Sequence, residues 1–178
     1  KQLAEKMGGQ IGVASGEGKG SEFWFTVQLG LQPEQDRPRN TCTKIQDKRI
    51  LIVDDNATNR EILAARLSAW GALAVELPGG PEALQKLDEA YRAGAPFDIV
   101  ITDMQMPEMD GLMLGRAIRL DPRFNELCLL MMSSLGRQED SSVLAELGFA
   151  CSLTKPIRPS DLLNRLMTDI TGCKNSGN

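Results

Sequence analysis

The chain has 178 residues, of which 42% are hydrophobic, 25% charged and only 4% aromatic. That is room for one domain of roughly 150 residues plus something smaller, with a core built mainly from aliphatic side chains. Twenty basic against twenty-four acidic residues leave a net charge of −4, which argues against a non-specific polyanion binder but leaves room for a local basic patch.

No apolar run approaches the ~20 residues of a membrane span, and no signal peptide opens the chain. There is no histidine, so a histidine triad, a histidine-ligated metal and a phosphohistidine are all excluded here, and imidazole chemistry has to come from a partner. The four cysteines, Cys42, Cys128, Cys151 and Cys173, are far apart with no C-x-x-C pair, which speaks against a zinc site. Cys128 and Cys151 sit in apolar runs and read as small buried hydrophobes, in keeping with a reducing cytoplasm. The chain opens on Lys1 inside an apparent helix and is read as a piece of something longer.

Three zones follow in order. Residues 1–30 are Gly-rich and end in an alternating run, Glu22 to Leu29, that predicts a strand. Residues 31–48 are polar, carry two prolines and have no apolar period, so they read as a linker. From Arg49 to Thr171 a strand–helix unit repeats five times, and a polar tail, 172–178, closes the chain.

In that third zone Ile50–Val53 is the first strand, and Asp54-Asp55-Asn56 forms the turn after it. Asn56 can cap a helix from Ala57 to Trp70. Leu73–Glu76 is the second strand, and Pro81 suits the first turn of the next helix, to Ala93. The third strand, Phe97–Thr102, ends at Asp103, and Asp110 can cap a helix to Arg119. A fourth strand over Cys128–Met132 ends at Ser133-Ser134, with a helix near Asp140–Leu147. A fifth, Ala150–Thr154, ends at Lys155-Pro156; its helix, from Pro159, carries Leu162, Leu163, Leu166, Met167 and Ile170 on one face.

Nearly unbroken apolar strands alternating with helices predict an α/β fold with a parallel sheet buried on both faces. Right-handed crossovers make it doubly wound. For five strands a common order is 2-1-3-4-5, with the site beyond the carboxyl ends of strands one and three. Asp54, Asp55, Asp103, Ser133 and Lys155 all fall at strand ends. Neighbouring strands are about 4.8 Å apart, so carboxylates ending strands one and three repel one another unless a cation joins them or one takes a proton. A hard cation such as Mg²⁺ suits that donor set, and the flexible stem of Lys155 can bring in a further positive charge. Carboxylate nucleophile, cation, ammonium and hydroxyl together suit the receipt of a phosphoryl group.

Three segments carry a resemblance. Val53-Asp54-Asp55-Asn56, the loop Thr102-Asp103-Met104-Gln105-Met106-Pro107-Glu108-Met109-Asp110-Gly111, and Leu153-Thr154-Lys155-Pro156-Ile157 resemble the response-regulator receiver domain, over Arg49–Thr171. The resemblance implies the flavodoxin-like receiver fold and a phosphoryl-accepting role in two-component signalling, with Asp103 as acceptor. It implies Asp55 as a direct Mg²⁺ ligand, Asp54 acting mainly through water, and the carbonyl of Gln105 completing the protein ligands beside Asp103. Lys155 would neutralise the phosphoryl oxygens, Ser133 would hydrogen-bond to them, and a cis peptide is implied at Lys155–Pro156. The family usually has Tyr or Phe three residues before the lysine, as a switch that swings inward on phosphorylation. Here that residue is Ser152, so the aromatic switch is absent.

Lys1 to Ile11, with Gly18-Lys19-Gly20-Ser21-Glu22-Phe23-Trp24-Phe25, resembles the end of a histidine-kinase ATP-binding domain. This implies a parent hybrid sensor histidine kinase that can itself be membrane-anchored, while the fragment is cytoplasmic. The fragment lacks an Asp-x-Gly-x-Gly segment and should catalyse only its own aspartyl phosphorylation. Gly16–Ser21 is not a P-loop, since Lys19 is followed by Gly20. Phe23, Trp24 and Phe25 read as core residues stranded from a missing domain, and the methionines around Asp103 as packing. The expected partner is a kinase or a histidine phosphotransfer domain bearing phosphohistidine, with no nucleic acid and no membrane contact. A degenerate receiver that only docks is the rival reading. A haloacid-dehalogenase-like phosphatase is disfavoured, because the second Asp it needs is Gln105 here.

Overall fold

A computed structural model describes residues 1–16, 18, 20–30, 45–134 and 141–172. They fall in two compact units, Lys1–Arg39 and Asn40–Asn178. Cys42, Lys19, Asp140 and the polar tail from Cys173 onward lie outside the described residues, as do the side chains of Ser141, Asp169, Ile170 and Thr171.

The smaller unit is a short helix, α1 (Gln2–Lys6), followed by a hairpin of β1 (Ile11–Gly16) and β2 (Gly20–Phe25). The strands pair antiparallel, Ile11 opposite Phe25 and Gly16 opposite Gly20. The alternating pattern correctly marked a strand, but it ends at Phe25 and not Leu29, because its partner begins only at Ile11. β1 itself was not anticipated: its small residues give little apolar signal. Gly12 lies opposite Trp24, and a Cβ there would sit 2.3 Å from the indole ring, so glycine is what lets the ring lie across the strand.

In the larger unit the elements run β3 (Arg49–Val53), α2 (Ala57–Ala69), β4 (Leu73–Leu77), α3 (Gly80–Arg92), β5 (Ile99–Asp103), α4 (Gly111–Arg119), β6 (Cys128–Ser134), α5 (Ser141–Glu146), β7 (Phe149–Lys155) and α6 (Pro159–Gly172). A single 3₁₀ turn, Pro122–Phe124, precedes β6. The sheet order is β4-β3-β5-β6-β7 with every pair parallel, which is the predicted 2-1-3-4-5.

Strand alternation sorts the core into two layers. Leu51, Val53, Val100, Leu129 and Met131 face α3 and α4 through Leu87, Leu114 and Ile118. Ile50, Ile52, Ile99, Ile101, Leu130 and Leu153 face α2 and α6 through Leu63, Leu67, Leu162 and Leu166. With both faces covered, polar side chains on the inner strands are left mainly to the strand ends. Asn56 caps α2 by accepting from the N–H groups of Thr58 and Asn59, and Asp110 caps α4 by accepting from Met113 N–H at 2.7 Å.

Residues 31–44 of the stretch read as a linker are outside the description. Ile45–Lys48, by contrast, are built into the larger unit. Ile45 is fully buried in the α2/α6 layer, Asp47 N–H donates to the Gly71 carbonyl at 2.9 Å, and Lys48 pairs with Asp98 at 2.6 Å. Packing therefore starts ahead of Arg49. Ile45→Ala should lower the unfolding free energy by about 2–5 kcal/mol, read from the urea midpoint; an unchanged midpoint would show that this residue is no part of the core.

Candidate functional site

The site sits where β3, β5, β6 and β7 end. Asp54 follows the last residue of β3 and is 0% exposed; Asp103 is the last residue of β5 and 7% exposed. Asp55 is exposed beside them. Carboxylate oxygens of Asp54, Asp55 and Asp103 all lie within 4.8 Å of one another. Lys155 ends β7 and reaches back across the sheet edge. Its Nζ donates to Asp54 Oδ2 at 2.7 Å and lies 2.9 Å from Asp103 Oδ1. The peptide bond after it, Lys155–Pro156, is cis, as the resemblance implied.

The electrostatics follow from this packing. Burial pushes the Asp103 carboxyl above its usual range, the Lys155 ammonium pulls it down, and nearby Asp54 pushes it up again. For Lys155, burial works against the charged form, but hydrogen bonds to Asp54 and Asp103 outweigh it and hold the ammonium above its ordinary range. Ser133 lies near the end of β6, one residue beyond Met132, the strand partner of Asp103. Its Oγ is buried with no hydrogen-bond partner among the described residues. A buried unsatisfied hydroxyl is costly, and one at a strand end beside a carboxylate cluster invites an acceptor.

The loop after Asp103 is pinned at both ends. Met104 N–H donates to the Met132 carbonyl at 2.9 Å, and Gly111 N–H to the Met104 carbonyl at 3.0 Å. Met104 and Met106 are buried in the core, as expected for packing residues. A Cβ on Gly111 would lie 2.4 Å from the Asp103 carbonyl oxygen, so the absent side chain lets α4 begin against the backbone of Asp103. Gln105 is exposed just beyond Asp103. The expected site residues Asp54, Asp55, Asp103 and Lys155 are thus brought together, with Ser133 at the adjoining strand end and Gln105 in the adjoining loop.

Two residues of the site had not been singled out. Asn59 Nδ2 donates to both Asp54 oxygens, at 3.3 and 3.2 Å, and Arg60 Nη1 donates to the Asp54 carbonyl at 2.6 Å. Both lie in the first turn of α2, next to the Asn56 cap. That position relative to the Asp pair was the signal that could have found them. Hard oxygen donors at this spacing, one of them exposed, fit a divalent cation with open positions for water.

Comparison with known proteins points one way. Residues 50–167 match the family model described as the response regulator receiver domain. The chain is 36% identical over 119 residues to the chemotaxis protein CheY1 of Helicobacter pylori, covering 66% of this chain and 93% of that one. It is 27% identical over 159 residues to hybrid signal transduction histidine kinase L of Dictyostelium discoideum, covering 86% of this chain but 9% of the kinase. Among solved structures, a response regulator from Chloroflexus aurantiacus superposes with a TM-score of 0.64 at 28% identity, covering 71% of this chain and 99% of that one.

Removing the ammonium tests the electrostatics directly. Lys155→Met should lower stability at pH 7 by about 2–4 kcal/mol, because two buried carboxylates lose their shared counter-charge. Adding Asp54→Asn should recover part of the loss. Equal urea midpoints for Lys155→Met and wild type would show that the carboxylates do not depend on it.

Proposed function

Since the chain belongs to the response regulator receiver domain family, whose phosphoryl-accepting role in two-component signalling it shares, we propose that Asp103 is the acceptor. The observation that carries this is one ammonium, Lys155, bridging the buried carboxylates Asp54 and Asp103. A carboxylate oxygen of Asp103 attacks phosphorus in line. As the new P–O bond forms, the bond from phosphorus to the donor's imidazole nitrogen breaks, and the electron pair leaves with the ring, which takes up a proton. Lys155 offsets the charge on the equatorial oxygens, and Ser133 gives its free hydroxyl to one of them.

We assign the cation site to Mg²⁺, held directly by Asp55, mainly through water by Asp54, and by Asp103 and the Gln105 carbonyl. When bound, Mg²⁺ supplies a hard positive charge against the phosphoryl oxygens. The chain has no histidine, which supports a donor imidazole on a kinase or a histidine phosphotransfer domain.

The smaller unit supports a hybrid-kinase parent. Phe23 is 78% exposed and Phe25 68%, with Leu3, Ile11 and Val13 exposed as well, more apolar surface than a two-stranded hairpin carries without a partner. The alignment to the Dictyostelium kinase is too long to fit within the receiver region alone. We read 1–30 as the last part of a kinase ATP-binding domain, 49–171 as the receiver, and the fragment as cytoplasmic and making no membrane contact. No helix among the described residues is long and apolar enough to cross a membrane. The docking-only reading is favoured by Ser152 and opposed by the assembled acidic site.

Intact mass after incubation with Mg²⁺ and acetyl phosphate decides between them. One phosphoryl adduct should form on the wild type and be absent from Asp103→Asn or without Mg²⁺; labelling of Asp103→Asn at the wild-type rate would refute the assignment. Ser133→Ala should leave the unfolding free energy within about 1 kcal/mol of wild type, read from the urea midpoint, since its hydroxyl has no partner among the described residues to lose, yet slow labelling at least several-fold. If Ser133→Ala is labelled as fast as wild type, the hydroxyl has no part in the transfer.

A further inference from the structure

One helix holds the site from both sides. Asn59 and Arg60 of α2 grip Asp54, and two turns further on Arg66 Nη1 donates to the Ile157 carbonyl at 3.0 Å, across 91 residues of chain. Ile157 lies two residues beyond Lys155, in the turn between β7 and α6. Pro156 has no N–H to give that turn, and among the described residues the next backbone bonds are those to the Arg158 carbonyl from Asp161 and Leu162. Arg66 and the turn also line a cavity of about 460 Å³ with Asp54, Asn59 and Lys155.

We infer that Arg66 is a positioning residue for phosphoryl transfer, acting through the turn that follows Lys155; the inference rests on the assignment of Asp103 and Lys155 above. A lysine stem is flexible, so the place of its ammonium depends on the backbone it leaves. On the β6 side that backbone is laddered to Ser134, and on the other Arg66 ties the turn that follows it to the same helix that fixes Asp54. Displacement of a charge-offsetting group by about 1 Å can slow a reaction by up to about a hundredfold. Loss of the tie should therefore appear in the rate of transfer more than in binding of the donor.

The test uses the whole chain with Mg²⁺ and acetyl phosphate. It compares wild type, Arg66→Ala, Arg66→Gln and Arg66→Lys by saturating labelling rate, half-saturating donor concentration and deuterium exchange over residues 155–162. Arg66→Ala should lower the saturating rate about tenfold, shift half-saturation by less than about twofold, and speed exchange in the turn. Arg66→Lys, which keeps a charged donor, should recover most of the rate and of the protection. Should Arg66→Ala fail to fold, Arg66→Gln and Arg66→Lys carry the comparison: the inference requires a rate below wild type in Arg66→Gln and the faster rate of the two in Arg66→Lys. Wild-type rate and exchange in Arg66→Ala, or no recovery in Arg66→Lys, overturns the role of Arg66 alone. A wild-type chain that takes no phosphoryl group overturns the site assignment itself, and this inference with it.

Discussion

Two buried carboxylates facing one ammonium are the constraint around which the larger unit is arranged. Asp54 and Asp103 end neighbouring strands, so sheet geometry forces them together, and burial penalises their charges. The sheet cannot relax this by moving, because β3 and β5 are packed on both faces by aliphatic layers. What can adapt is at the rim, chiefly the long Lys155 stem. Rigid strands hold the acidic groups, and that side chain supplies the balancing charge.

The surrounding polar groups make sense as responses to that constraint. Asn59 and the Asn56 N–H satisfy the Asp54 side chain, and Arg60 satisfies its carbonyl. Among the described residues no side-chain amide bonds the Asp103 carboxylate, which meets the Lys155 ammonium, and burial above all keeps that carboxyl pushed upward. The asymmetry matters chemically. Asp54 has its lone pairs committed to the scaffold, whereas Asp103 keeps more of its carboxylate open, an arrangement suited to the nucleophile proposed for it.

Much of this was legible because the signals are local. Short, largely apolar segments of four to six residues marked all five strands, and polar residues at their ends marked Asp54, Asp103, Ser133 and Lys155. What was not legible depends on distant partners. The third strand begins at Ile99 and not Phe97, because the Asp98 carboxylate turns to accept from Lys48 Nζ and Arg49 N–H at 2.6 and 2.9 Å. β6 runs on to Ser134 because Ser133 and Ser134 find ladder partners in Thr154 and Lys155. The Arg66–Ile157 bond joins residues 91 apart, beyond the reach of any periodicity.

Ser152 bears on where a change of state could be read. A ligand shifts a conformational equilibrium only by interacting differently with the two states. An aromatic side chain at that place would bring about 150–250 Å² of buried surface to such a difference; a serine brings almost none. Ser152 pairs with Met131 in the ladder and lines a polar cavity of about 410 Å³ with Thr154, Arg158 and Asn164, so a small hydroxyl already stands there with polar neighbours. On the assignment proposed above, a phosphoryl group on Asp103 would instead act on the Lys155 ammonium already beside that carboxylate. Lys155 leads straight into the turn bound by Arg66, so on the acceptor role proposed for Asp103 a load on that ammonium would bear on α2 and the β7–α6 turn.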